Sequence, residues 1–146
     1  MREDLRALAR ETGVEEKVLF HPAVPIEELP GRTAVATIGL IAYTAESLNF
    51  LYALPNKFFE YIMAGVPVLS TDLPEIRRLI KTHRVGEIVL PATPEAFAEA
   101  MNRMAGDPGR LEELRARCLA AARDLHWGEE EKKLIRLYRE LEEEAG

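Results

Sequence analysis

Residues 35–43, Val-Ala-Thr-Ile-Gly-Leu-Ile-Ala-Tyr, form an apolar run without a single charge. β-Branched and small residues in that order, with no polar alternation, predict a strand covered on both faces, the kind found inside parallel sheets. Val66 to Thr71 repeats the pattern as a second buried strand, and Gly86 to Leu90 is a shorter third. Between the first two, Asn56 to Ala64 sets Phe58, Phe59, Ile62 and Met63 at helical spacing, and Gly65 with Pro67 beyond it stops the helix. Pro74 to Ile80 is a helix with proline at its first position. Strands alternating with helices predict a doubly wound, Rossmann-like α/β sheet.

The flanks are helical or irregular. Met1 to Thr12 carries Leu5, Leu8 and Ala9 on one face and stops at Gly13. Val18-Leu19-Phe20 is a compact apolar run closed by His21-Pro22, and Pro25 and Pro30 bracket a loop or a single helical turn. From Pro94 the pattern turns wholly helical. One stripe holds Phe97, Met101 and Met104; after Asp107-Pro108-Gly109 another holds Leu111, Leu114, Cys118, Ala121 and Leu125. A last helix from about Glu129 carries Leu134, Tyr138 and Leu141. The expected organisation is a single domain, with residues 1–93 forming the sheet and 94–146 a helical C-terminal tail.

Composition narrows the function classes. The formal net charge is -6 and no basic block stands apart from its acids, which excludes a nucleic-acid phosphate backbone as the expected partner. The apolar runs reach about half of the roughly 20 residues that span a bilayer, so no transmembrane segment is expected. Met1-Arg2-Glu3-Asp4-Leu5 lacks the features of a signal peptide, and the expected location is the cytoplasm. The one cysteine, Cys118, cannot form an internal disulfide and lies on an apolar stripe, where it is expected to pack. Fourteen Arg against five Lys, with three Asn and no Gln, resembles a heat-adapted composition.

Ligands of open parallel sheets sit at the carboxyl ends of the strands, where helix N-termini offer free N–H groups to anions. Two loops qualify. Thr44 to Pro55 leads into the helix opening at Asn56-Lys57, and Ser70-Thr71-Asp72-Leu73-Pro74 follows the second strand. Lys57 falls in a first helical turn, where the dipole disfavours a cation unless an anion compensates; an exposed lysine beside Glu60 is the alternative. Glu60, between Phe59 and Tyr61, either points to water or offers its two oxygens to vicinal hydroxyls such as those of a ribose. His21 ends a predicted strand, as a ligand contact or as a structural turn residue. His83, His126 and Cys118 lack metal-ligand spacing, and no metal site is expected. Ser47 and Ser70 lack a G-x-S-x-G elbow, and Gly39 stands alone without a G-x-G-x-x-G. Trp127 and Tyr138, at helical spacing, are expected to cap a core, with recognition the lesser alternative.

The stretch from Leu54 to Asp72, L-P-N-K-F-F-E-Y-I-M-A-G-V-P-V-L-S-T-D, resembles the donor-binding half of retaining glycosyltransferases of the GT-B fold, the glycogen-synthase-like and mannosyltransferase-like group. Gly13 to Phe20, Gly86 to Pro91 and Trp127 to Leu141 resemble the flanking segments of that family, so the likeness covers nearly the whole chain. It implies the C-terminal part of a GT-B protein that moves a sugar, with retention, from a nucleoside-diphosphate sugar to an acceptor, without a cofactor or tightly bound metal.

By position, Glu60 matches the second acid of the family's E-x7-E motif, which binds ribose hydroxyls, while the first acid is replaced by Tyr52. Pro55, Asn56 and Lys57 would lie beside the diphosphate and sugar, with Tyr52 nearby. His21 would lie near the nucleobase. The resemblance further implies an N-terminal acceptor domain, or a partner chain in its place, which could attach peripherally to a membrane. It also implies a preceding strand-helix-strand unit with a basic pair for the diphosphate. A chain without these is expected not to turn over and, with strand edges unpaired, to form homo-oligomers. Loss of the first motif acid supports a second reading, a non-catalytic nucleotide-binding or protein-interaction module.

Overall fold

A computed structural model describes residues 2–43 and 47–145. The chain opens with α1 (Arg2–Glu11), a 3-10 turn (Glu15–Lys17) and the short α2 (Leu29–Thr33). The central unit is β1 (Gly39–Ile41), α3 (Leu48–Leu51), α4 (Asn56–Met63), β2 (Val68–Thr71), α5 (Pro74–His83) and β3 (Gly86–Val89). It closes with α6 (Pro94–Ala105), α7 (Pro108–Ala121) and α8 (Trp127–Ala145).

The three strands form a parallel sheet in the order β1-β2-β3. Val68 pairs with Gly39 on one side and with Gly86 on the other. Alternate residues of β2 enter different cores, as a strand covered on both faces requires. Val68 joins Ile41, Phe58, Ile62, Leu73, Ile76, Ile80 and Cys118 on the side of α4 and α5. Leu69 joins Val89, Ala100, Met104 and Leu114 on the side of α6. Phe58 and Ile62 are fully buried, each worth roughly 1.5–3 kcal/mol of apolar transfer, and they anchor α4 to the sheet. This is the expected α/β architecture with a helical C-terminal part.

The helix boundaries have local causes. Gly65 adopts φ +68°, so the chain can leave α4 in the left-handed conformation that side chains resist. Thr93 caps α6 by accepting from the Ala96 amide at 3.3 Å, and Asp107 caps α7 by accepting from the Arg110 amide at 2.9 Å. Cys118 of α7 lies with its Sγ 3.6 Å from the carbonyl oxygens of both Val66 and Val85, which precede β2 and β3. α7 therefore packs at the amino ends of these strands and leaves their carboxyl ends for other uses.

Several expectations are corrected. Residues 18–20 form no strand, and Leu19 is 78% exposed, because no neighbouring strand pairs with them. Of the apolar run 35–43 only Gly39–Ile41 enters the ladder; Val35 is 85% exposed, and Ala36 is held in a turn by its amide on the Thr33 carbonyl. The loop before α4 contains α3, capped by the Ser47 hydroxyl accepting from the Phe50 amide; Thr44 to Glu46 lie outside the described residues. Leu5, Leu8 and Met101 are exposed rather than packed, their partners in the expected stripes, Ala9 and Met104, being buried. α8 starts at Trp127 rather than Glu129, and Trp127 and Tyr138 are exposed and cap no core. No helix among the described residues is long and apolar enough to cross a membrane.

Candidate functional site

α4 begins at the carboxyl edge of the sheet. Its N-cap is Pro55, whose ring offers no acceptor; the Phe58 amide donates to the Pro55 carbonyl at 2.9 Å, and no side chain caps the first-turn amides of Asn56 and Lys57. Lys57 sits in that turn with its ammonium 5.1 Å from the centre of the Tyr43 ring. A cation over an aromatic face is favourable, and it holds the amine at the carboxyl end of β1 without a neutralising acid among the described residues. Tyr43 is fixed in turn. Its carbonyl accepts from the Thr71 hydroxyl at 2.9 Å, and its ring meets Phe50 of α3 edge-on at 6.1 Å. The ion pair with Glu60 that helical spacing allows does not form.

Asn56, at the first position of α4, and Glu60, one turn along, share a face and line a cleft of about 840 Å³. Phe59 and Met63 continue that wall; Ile26, Leu29 and Pro30 close one side, Arg78 and Leu79 of α5 another, and Leu125, His126, Trp127 and Glu130 the third. The volume falls within the range of small-molecule sites, and mostly apolar walls with a few polar groups are typical of them. Arg78 is held by Glu75, which accepts from its Nη2 at 2.9 Å, and His126 Nδ1 accepts from the Gly128 amide at 3.1 Å. The partly buried Glu60 carboxylate makes no hydrogen bond or ion pair among the described residues, and its two oxygens are available to a ligand's donors.

Of the six residues singled out from sequence, Asn56 and Glu60 come together in the cleft, while Pro55 and Lys57, beside Asn56 at the start of α4, are not among its lining residues. Tyr52, at the end of α3, is 59% exposed and is not among the cleft residues. Nor is His21, which is exposed and whose carbonyl accepts from Arg2 at 2.9 Å. The second candidate loop serves structure. The Ser70 hydroxyl donates to the Thr71 carbonyl at 2.9 Å, Thr71 ties to β1, and Asp72 pairs with Arg77. Sequence reasoning missed Tyr43 as the seat of Lys57 and Trp127 as a cleft residue, since both contacts join segments far apart in the chain.

A parallel three-stranded sheet with helices packed on both faces matches the GT-B fold. Residues 1–107 match the family of glycosyl transferases group 1, and the chain belongs to that family. It is 29% identical over 138 residues to the D-inositol 3-phosphate glycosyltransferase of Acidothermus cellulolyticus, covering 94% of this chain and 29% of that protein. It is 27% identical over 135 residues to the protein of the same name from Xylanimonas cellulosilytica, covering 92% and 31% respectively. The chain thus spans less than a third of the length of these relatives. The crystal structure of WaaG, a glycosyltransferase involved in lipopolysaccharide biosynthesis, superposes with a TM-score of 0.68 over 87% of this chain and 32% of its own, at 20% identity, which speaks to the fold.

Proposed function

We propose that this chain binds the nucleotide of a nucleoside-diphosphate sugar and serves sugar transfer, with retention, to an acceptor held elsewhere. Glu60 accepts hydrogen bonds from the ribose hydroxyls, and the first-turn amides of α4 with Asn56 and Lys57 hold the diphosphate, with no metal ion required. The observation that carries this reading is the Glu60 carboxylate, unpartnered among the described residues in the wall of a cleft of nucleotide size. An acid there repels phosphate and favours hydroxyl donors, while Lys57 and the helix dipole favour the anion about one turn, or roughly 6 Å, away. Family membership supports the same assignment.

Calorimetric titration with UDP, GDP and ADP tests it. At least one should bind, and Glu60→Ala should weaken that nucleotide by tenfold or more, since a charged acceptor to two hydroxyls is worth roughly 1.5–3 kcal/mol. Affinity within twofold of the parent would remove Glu60 from the site. Tyr52 in place of an acid supports a second reading, a nucleotide-binding module without transferase activity of its own. Nucleotide binding by a protein that, joined to its acceptor domain, transfers no sugar would favour that reading.

A further inference from the structure

Trp127 is the chain's single tryptophan. It stands at the first position of α8, 69% exposed, on the wall of the cleft that also holds Glu60 and Asn56. A large indole left open to water forfeits much of the burial that makes tryptophan stabilising. Its ring has no aromatic or cationic neighbour among the described residues. The surrounding walls are apolar, from Ile26, Leu29 and Phe59, and the fixed polar groups near it leave the ring face uncovered.

We infer that Trp127 is the stacking surface for the nucleobase of the bound nucleotide. The inference rests on the reading of Glu60 as the ribose acceptor and adds an orientation to it. Diphosphate, ribose and base follow one another in a nucleotide, and three kinds of group border this cleft in a matching division of chemistry. At the start of α4 Asn56 lines the cleft, with Lys57 in the same turn but outside the lining; the carboxylate of Glu60 lies one turn along, and apolar and aromatic residues, Trp127 among them, form the rest of the wall. The phosphates belong at the first because Glu60 repels them from the cleft wall and Arg78, the cation in that lining, is already paired with Glu75. With the ribose on Glu60, the base, the one part of the ligand that gains from an aromatic face, has Trp127 on the wall of the same cleft. Stacking is tolerant of base identity, so Trp127 supplies affinity rather than choice among bases.

Trp127 is also its own reporter. Titration of this chain with UDP, GDP and ADP is followed in parallel by calorimetry and by tryptophan fluorescence. The expected result is a saturable change in Trp127 emission with the calorimetric Kd. Trp127→Leu should weaken binding about tenfold or more, and Trp127→Phe should restore most of the loss. The position is exposed, so both variants should fold, which circular dichroism checks. Binding that leaves the emission unchanged, or that Trp127→Leu does not weaken, overturns the role of Trp127 and leaves Glu60 standing. Binding that depends on Trp127 but tolerates Glu60→Ala overturns the ribose reading on which the orientation rests. Absence of binding to UDP, GDP and ADP alike overturns both.

Discussion

The Thr71 hydroxyl donates to the Tyr43 carbonyl across 2.9 Å and so ties the carboxyl end of β2 to that of β1. The same Tyr43 carries the Lys57 ammonium on its ring. One buried hydroxyl therefore links the sheet to the only cation placed in the first turn of α4.

Thr71→Val keeps the shape of the side chain and removes the donor. A loss of about 1–2 kcal/mol in urea unfolding is expected, because the buried bond goes and a carbonyl is left with fewer partners. Nucleoside-diphosphate affinity should fall severalfold as well, through the looser seat of Lys57. A variant with full stability would show that the bond contributes nothing.

Gly86 sets the spacing between two strands. A Cβ there would lie 1.8 Å from the Val68 carbonyl oxygen, an atom of the paired strand's backbone that cannot swing aside. Gly86→Ala should cost about 3 kcal/mol or more, since relief requires β2 and β3 to separate. At Gly39 a Cβ would meet the root of the Tyr61 ring at 2.5 Å, a side chain that must shift from its packing on the core while the paired backbone stays in place, so Gly39→Ala should cost less than Gly86→Ala. Thermal unfolding of the two variants orders them.

Much of this architecture follows from local pattern. Gly65 beyond the apolar face of α4, Pro74 and Pro94 at helix starts and the uncharged β2 segment each mark their element in sequence, because each acts within its own few residues. Residues 18–20 and Val35 read as strand and are not. Apolarity records that a segment could be covered, and pairing needs a neighbour elsewhere in the chain. Arg84 ends α5 at φ 54°, a conformation that glycine marks in sequence and arginine does not. In the cleft, Asn56 and Glu60 were legible because they share a helix face. Trp127 and Tyr43 were not, since α8 and β1 reach α4 only through the fold.

Cys118 is fully buried, and burial pushes its thiol up to about 12, with Arg115 opposing more weakly. The folded chain keeps the proton where the unfolded chain, with a thiol near 9, loses it. Stability is thus unaffected below pH about 9 and falls between about 9 and 12, by up to about 1.4 kcal/mol per pH unit. Urea midpoints at pH 8, 9.5 and 10.5 should show this fall, and in Cys118→Ala its thiol component should vanish although that variant is less stable throughout. Parallel slopes in the two proteins would mean that the thiol ionises with equal ease in the folded chain.

Lys57 separates the charged part of nucleotide recognition from the rest. Its amine is held over the Tyr43 ring rather than by an acid, so it can approach a phosphate without first breaking an ion pair. Lys57→Ala should weaken a nucleoside diphosphate by about tenfold and the bare nucleoside by less than twofold, while Glu60→Ala should weaken both. Salt should mimic the first change, because screening acts on the exposed charge pair and hardly on the ribose contact. Calorimetry at about 50 and 500 mM salt measures this directly. A Lys57→Ala loss that is equal for nucleoside and diphosphate would place the amine on the ribose or base side of the ligand.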